Sequence, residues 1–180
     1  MGQDKGLLQL KGKALAQYVL DALQPVCDEV FIVANDDAYQ QFGVPVYKDE
    51  IKAKGPIAGI YTGLKQSKTD WNLVVACDMP FITTEALKFI AGCANERYQT
   101  ILPIAEDRTQ PLCALYSRNI IPKLEEDLNN ERLKMNEALK SLPCLMITMD
   151  SELDFYTSSL FLNMNSPDDF NKIVEVEQDS

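Results

Sequence analysis

Asp78 stands at the end of a short apolar run, WNLVVA, and is followed at once by Met79-Pro80. A carboxylate just past a buried strand and stiffened by proline suits a magnesium ion that bridges phosphate oxygens. It equally suits an aspartate that caps the turn into the next helix. Asn163 and Asn165 close a second apolar run, LFLNMN. Their i, i+2 spacing projects both side chains to one face of an extended chain, where an amide oxygen can complete a metal shell or the pair can form a turn. Lys5 lies between Gly2 and Gly6 in MGQDKGLL. Glycine on both sides lets an ammonium reach a polyphosphate, although most lysines near a terminus are simply solvated. Asn35-Asp36-Asp37 follow the run EVFIVA and can meet a ribose or base edge, or serve as an ordinary turn. Gly55-Pro56-Ile57-Ala58-Gly59 joins a rigid turn to two residues without side chains, which lets a helix start lie close to a ligand or to another backbone segment.

The rest of the composition narrows the chemistry further. The 180 residues contain no histidine, which excludes Ser-His-Asp hydrolysis, Cys-His proteolysis and histidine-ligated zinc. A formal charge of −10 opposes a broad nucleic-acid-binding face, because such faces work by neutralising phosphates. A small phosphorylated ligand remains compatible, since a metal and a few lysines can offset charge within one pocket. The five cysteines form no CxxC pair, as expected of reduced, mostly buried thiols in a cytosolic protein. No apolar run approaches the roughly 18 residues that a bilayer span requires, and no signal-peptide pattern opens the chain. Cytoplasmic localisation without a membrane is therefore the expectation.

These residues must be held by elements that the periodicity outlines. Leu15, Tyr18, Val19, Ala22 and Leu23 recur at helical spacing over residues 13–24 and stop at Pro25. Residues 29–34, 44–47 and 71–76 read as strands, the first and third of them covered on both faces, with a helix at 56–65 between the second and third. Thr83 or Thr84 caps a further helix whose stripe is Leu87, Ile90, Ala91 and Ala94. Strand-like stretches follow at 100–104 and 112–116, helices at about 120–128 and 135–142, and strands at 144–149 and 160–162. Ser166-Pro167-Asp168-Asp169 marks a last helix start. The alternation predicts one α/β domain over residues 1–180, doubly wound and Rossmann-like, with a mainly parallel sheet flanked by helices. Ligands of such sheets sit beyond the carboxyl ends of the strands, where Asp78 and Asn35 fall.

Taken in order, the motifs resemble the MobA-type nucleotidyltransferases. That family opens with a strand and a loop of the form LAGGxSxRMGxDKxLL. The chain matches it from Met1-Gly2-Gln3-Asp4-Lys5 through Leu7-Leu8, then at Gly12-Lys13 and Leu15. The likeness continues at Asn35, at 55–59 (GPIAG), at Cys77-Asp78-Met79-Pro80, and at Pro111-Leu112 with Ala114-Leu115-Tyr116. It ends at 161–169 (FLNMNSPDD), so that it covers nearly the whole chain.

The resemblance implies transfer of GMP from MgGTP to the terminal phosphate of molybdopterin or its molybdenum-loaded form, with release of pyrophosphate. Carried over by position, Lys5 neutralises the triphosphate and Asp78 holds Mg²⁺, with Asn165 as second ligand. Asn35 and Asp49 contact the nucleoside, and Gly55 and Gly59 belong to the same nucleotide site. Docking to molybdenum-cofactor biosynthesis proteins or apo-molybdoenzymes follows from the need to hand the product on. The family's LAGGxSxR segment and its strand are absent from these 180 residues. The expectation is a natural chain that starts upstream of Met1, and a sheet left with open edges where the first strand would lie. Alternatives on the same fold are a nucleotidyltransferase that uses CTP or a sugar-phosphate acceptor, and a non-catalytic nucleotide-binding relative.

Overall fold

The computed structural model describes residues 4–49, 51 and 54–164. A turn of 3-10 helix at Lys5–Leu7 leads into a small antiparallel pair, β1 (Gln9–Leu10) and β2 (Lys13–Ala14). Helix α1 (Leu15–Leu23) follows and buries Leu15, Val19, Leu20 and Leu23 on the face that the spacing marked. Then come β3 (Ile32–Val33), a 3-10 segment at Asp37–Phe42, β4 (Val46–Tyr47), α2 (Gly55–Gln66) and β5 (Trp71–Val75). Helix α3 (Thr84–Gly92) starts where Thr83 Oγ1 accepts the Ala86 N–H at 3.2 Å, which satisfies a donor that the first helical turn cannot. The remainder is β6 (Thr100–Ala105), β7 (Arg108–Thr109), β8 (Cys113–Ser117), α4 (Ile121–Asn129), α5 (Met135–Lys140) and β9 (Cys144–Thr148).

The main sheet runs β5-β8-β6, with β7 and β9 also paired to β6. Strand β8 is antiparallel to both β5 and β6, while β9 is parallel to β6. Strands β5, β6 and β9 therefore point one way and β7 and β8 the other, so the sheet is mixed, with three of its five strands parallel to one another. The β6–β7 hairpin turns through Glu106 and Asp107, both at positive φ (49° and 58°), the geometry that matches the twist of the flanking strands. Both faces are covered, as α/β architecture requires. Ile101 and Leu115 join Val19, Leu87 and Ile90 under α1 and α3. Their chain neighbours Leu102, Ala114 and Tyr116 point to the other face, where Ile57, Leu64 and Leu124 of α2 and α4 meet them.

Two readings of the sequence change. Residues 160–162 are a chain of turns and not a strand: the Leu160 and Leu162 amides return to Thr157 and Ser159, which leaves no extended ladder to join. The strand expected over 29–34 shortens to Ile32–Val33, because its ladder is made with β4 alone among the described residues. The helix start expected at Ser166 lies outside the described residues.

That one-sided pairing positions the site. The Ile32 N–H bonds to the Pro45 carbonyl at 2.9 Å and the Ala34 N–H to Tyr47 at 3.0 Å. By alternation the peptide groups of Phe31 and Val33 turn the other way. On β5, the Asp70 carbonyl accepts from Arg118 at 2.8 Å and the Ala76 N–H donates to Leu112 at 2.7 Å, so Leu73 and Val75 turn away from β8. Between these two edges lies a cavity of about 740 Å³, walled by Phe31, Val33, Leu73 and Val75 and roofed by Leu20 of α1 and Ile60 of α2. The Tyr39 hydroxyl, in the 3-10 segment that follows β3, and Cys77 Sγ, beyond the end of β5, are 3.6 Å apart, so the segments that leave the two strands meet at one corner.

Candidate active site

One end of the cavity is polar. Asp4, Lys5, Asn35, Asp49, Cys77 and Asp78 line it, each just beyond a strand end or on the turn packed over one. Asp78 is carried there by β5. Its side chain is 14% exposed, and Lys5 Nζ stands 3.7 Å from its Oδ2 with half of the lysine side chain in solvent. The Asp78 carbonyl accepts the Met164 N–H at 2.8 Å, which ties the end of the LFLNM run to the same corner. A carboxylate and an ammonium thus share the carboxyl end of the sheet, one able to hold a cation and the other an anion.

Lys5 is held by its neighbours. Asp4 Oδ1 accepts the Gly6 N–H at 3.3 Å and the Asp4 carbonyl accepts the Leu7 N–H at 3.0 Å, which closes the short turn that carries the lysine. Asp4 Oδ1 also accepts the Tyr39 hydroxyl at 2.6 Å. Gly6 is pressed against the same group: a Cβ there would overlap the Tyr39 hydroxyl and lie 2.8 Å from Cys77 Sγ. Burial, and then donation to Asp4, hold the Tyr39 phenol well above the usual tyrosine range, so it stays a proton donor. Burial likewise pushes the Cys77 thiol up, which keeps it neutral.

Of the residues singled out by sequence, Lys5, Asn35, Asp49, Gly59 and Asp78 come together around one cavity. Asp49 Oδ1 is engaged by the Ile51 N–H and the buried Thr62 hydroxyl, both at 3.1 Å, which fixes its carboxylate against α2. Gly59 faces open space, with no atom within 4 Å of where a Cβ would be. Gly55 does not line the cavity. It opens α2 at φ +67°, a conformation that favours glycine, and its contribution is to the backbone. In the Asn-Asp-Asp run the roles divide: Asp36 caps the 3-10 segment by accepting the Ala38 N–H at 2.9 Å, Asp37 pairs with Lys48 at 3.1 Å, and exposed Asn35 faces the cavity. Asn163 is exposed, and Asn165 lies outside the described residues. Tyr39 and Thr62 were not found by sequence reasoning. Each sits in a stretch whose local pattern gives no hint that its hydroxyl closes a contact more than ten residues away.

Magnesium normally keeps several waters and takes one or two protein carboxylates plus substrate phosphates. A single, largely buried carboxylate at the polar mouth of the cavity fits that demand. Among the described residues no group of three or more His, Cys, Asp or Glu side chains is placed to hold a metal by itself. No helix among them is long and apolar enough to cross a membrane.

Comparison with known proteins bears on the fold and the family. The model of the MobA-like NTP transferase domain matches residues 1–143. A protein of Vibrio campbellii named molybdenum cofactor guanylyltransferase is 32% identical over 180 residues, 98% of this chain and 89% of the relative. A probable molybdenum cofactor guanylyltransferase of Flavobacterium johnsoniae is 28% identical over 173 residues, 96% of this chain and 89% of the relative. Among solved structures, molybdopterin-guanine dinucleotide biosynthesis protein A of Archaeoglobus fulgidus superposes with a TM-score of 0.77 at 25% identity, covering 99% of this chain and 93% of that one. A Thermus thermophilus 2-C-methyl-D-erythritol 4-phosphate cytidylyltransferase, at 12% identity and a TM-score of 0.70, shares the fold over 97% of this chain and 94% of its own. With its motifs at the carboxyl ends of the strands and the family model matched over most of its length, the chain belongs to the MobA-like NTP transferases, a nucleotidyltransferase family.

Proposed function

We propose that the protein transfers GMP from MgGTP to the terminal phosphate of molybdopterin or its molybdenum-loaded form. An acceptor phosphate oxygen attacks the α-phosphorus, one P–O bond forms, the bond to the bridging α–β oxygen breaks, and pyrophosphate leaves with that oxygen. The observation that carries this reading is the Lys5–Asp78 pair at the polar mouth. Lys5 meets the negative charge of the triphosphate, and Asp78 holds the metal that arrives with the nucleotide, joined by Asn165. When bound, the magnesium ion neutralises charge on the phosphate oxygens. Asn35 and Asp49 contact the nucleoside, and the glycine surface at Gly59 leaves room for it. No side chain forms a bond to phosphorus. Positioning and charge stabilisation perform the reaction, so the lack of histidine costs nothing.

The test is pyrophosphate release from MgGTP, MgATP and MgCTP with a molybdopterin-containing acceptor. Turnover is expected with GTP alone, to cease when the metal is chelated, and to fall about a hundred- to a thousand-fold in Asp78→Ala and Lys5→Ala. Turnover with CTP in place of GTP would reassign the base. Full activity in Asp78→Ala would remove this carboxylate from the mechanism.

The cavity walls bear on how the site is completed. We propose that the slot between β3 and β5 seats a further strand, apolar on both faces and parallel to its two neighbours, whose following glycine-rich turn covers the polar mouth. Support comes from the two inward-facing edges at Phe31 and Val33 and at Leu73 and Val75, and from the apolar walls between them. Such a turn would bring backbone N–H groups to the phosphates beside Lys5.

A further inference from the structure

The Tyr39 hydroxyl joins three parts of the chain that the sequence keeps far apart: the Lys5 turn, the segment after β3, and the Cys77-Asp78 corner after β5. The side chain is 1% exposed, with its ring tilted against Phe42 at a centroid distance of 5.8 Å. Its oxygen lies 2.6 Å from Asp4 Oδ1 and 3.6 Å from Cys77 Sγ. Asp4 in turn caps the turn on which Lys5 rides, and Lys5 reaches Asp78. The buried phenol donates to the carboxylate that caps the Lys5 turn, so the tyrosine helps to set where that turn holds the ammonium.

We infer that Tyr39 is a positioning residue for the substrate-binding lysine, acting through Asp4 to hold the Lys5 turn over the carboxyl end of β5. This rests on the reading of Lys5 as a triphosphate-binding group, and it adds a residue to which no motif pointed. Three features favour positioning over plain core packing. The hydroxyl makes hydrogen-bonding contacts to residues 35 and 38 positions away. Its acceptor is the residue next to Lys5. Gly6, one residue beyond the lysine, leaves no room for a Cβ against the same oxygen.

The experiment measures MgGTP affinity by calorimetry and steady-state kcat and KM for Tyr39→Phe, Asp4→Ala, Asp4→Asn and Lys5→Ala, and for the double variant Tyr39→Phe/Lys5→Ala. Tyr39→Phe keeps the ring and removes only the donor, and is expected to weaken MgGTP binding about tenfold while the thermal transition stays cooperative. Asp4→Ala should behave alike, and Asp4→Asn, which retains an acceptor oxygen, should recover most of that loss. In the Lys5→Ala background the Tyr39→Phe change should cost less than about twofold, because the group it positions is gone. Additive losses in the double variant would overturn the inference and leave Tyr39 a packing residue. So would unchanged affinity in Tyr39→Phe. Unaltered binding in Lys5→Ala itself would instead sink the reading of the site on which the inference stands, so the two failures are separable.

Discussion

At Gly6 a methyl group has nowhere to go. The Tyr39 hydroxyl, Cys77 Sγ at 2.8 Å and Cys77 Cβ at 2.9 Å occupy the space, and two of these three atoms belong to a side chain fixed just beyond the end of β5. Gly6→Ala is therefore expected to destabilise the fold by about 1–3 kcal/mol through overpacking, and to displace Lys5 from Asp78. Urea denaturation measures the first effect and MgGTP calorimetry the second. Tyr39→Phe in the same chain should relieve only part of the strain, since the Cys77 atoms remain. A Gly6→Ala protein of unchanged stability and affinity would show that the turn relaxes without cost. The thiols call for no chemistry: all five are free, and burial pushes Cys113 up to about 12, so it is inert at neutral pH.

Helix α4 shows how an element is fixed against its neighbours. Leu124 and Leu128 are buried against α2, the Leu128 carbonyl near the helix end accepts from Lys54 Nζ at 2.9 Å, and Glu125 accepts from Tyr61 at 3.1 Å. Asp127 is buried on the same helix, with Lys123 Nζ at 2.7 Å and Arg132 Nε at 2.8 Å on its Oδ1. Burial by itself raises the pKa of this carboxylate. The hydrogen bonds from Lys123 and Arg132 outweigh it, and the group is held below its ordinary 3.8. A carboxylate depressed in the folded state adds stability above its unfolded value, and that stability is lost as pH falls through the folded one. Stability should therefore drop on acidification below about pH 4. Asp127→Asn should flatten this part of the profile and cost about 1–3 kcal/mol at pH 7. Thermal melts from pH 2 to pH 7 check both, and identical profiles for the two proteins would remove Asp127 as a source of the acid sensitivity.

Over the whole molecule, the slot between β3 and β5 links stability to activity, because one cavity separates the two strands and opens at the polar mouth. Edges that have no partner among the described residues and line an apolar cavity are templates for another strand. In the 180-residue chain the amides of Val33, Leu73 and Val75 are expected to exchange with solvent at least about tenfold faster than those of Ile32, Ala34 and Val74, which have partners in β4 and β8. A longer chain carrying an apolar strand and a glycine-rich turn ahead of Asp4 should slow these three amides and change the fluorescence of Trp71, the single tryptophan, which lines the slot. A Gly/Ser extension of equal length should do neither. Equally slow exchange in the shorter chain would mean that the two edges close on each other and that no strand is awaited.

Local pattern was enough to write most of the elements into the sequence. The helical stripe of α1, the cap at Thr83 and the apolar runs of β5, β6 and β9 depend on neighbours a few residues apart, and periodicity reads such relations directly. The same holds for Asp78, which any strand over 71–76 must carry to the carboxyl end of the sheet. The LFLNM run misled because apolar composition does not distinguish a buried strand from a buried string of turns; which it becomes depends on whether a neighbouring edge is available. Tertiary structure alone decided that Tyr39 meets Asp4 across 35 positions and that Thr62 pins Asp49. It also decided that Gly6 answers to steric contact and Gly55 to backbone conformation. Each of these is a contact between segments whose separation in sequence carries no periodic signal, so only the packed sheet and its helices could bring them within hydrogen-bonding distance.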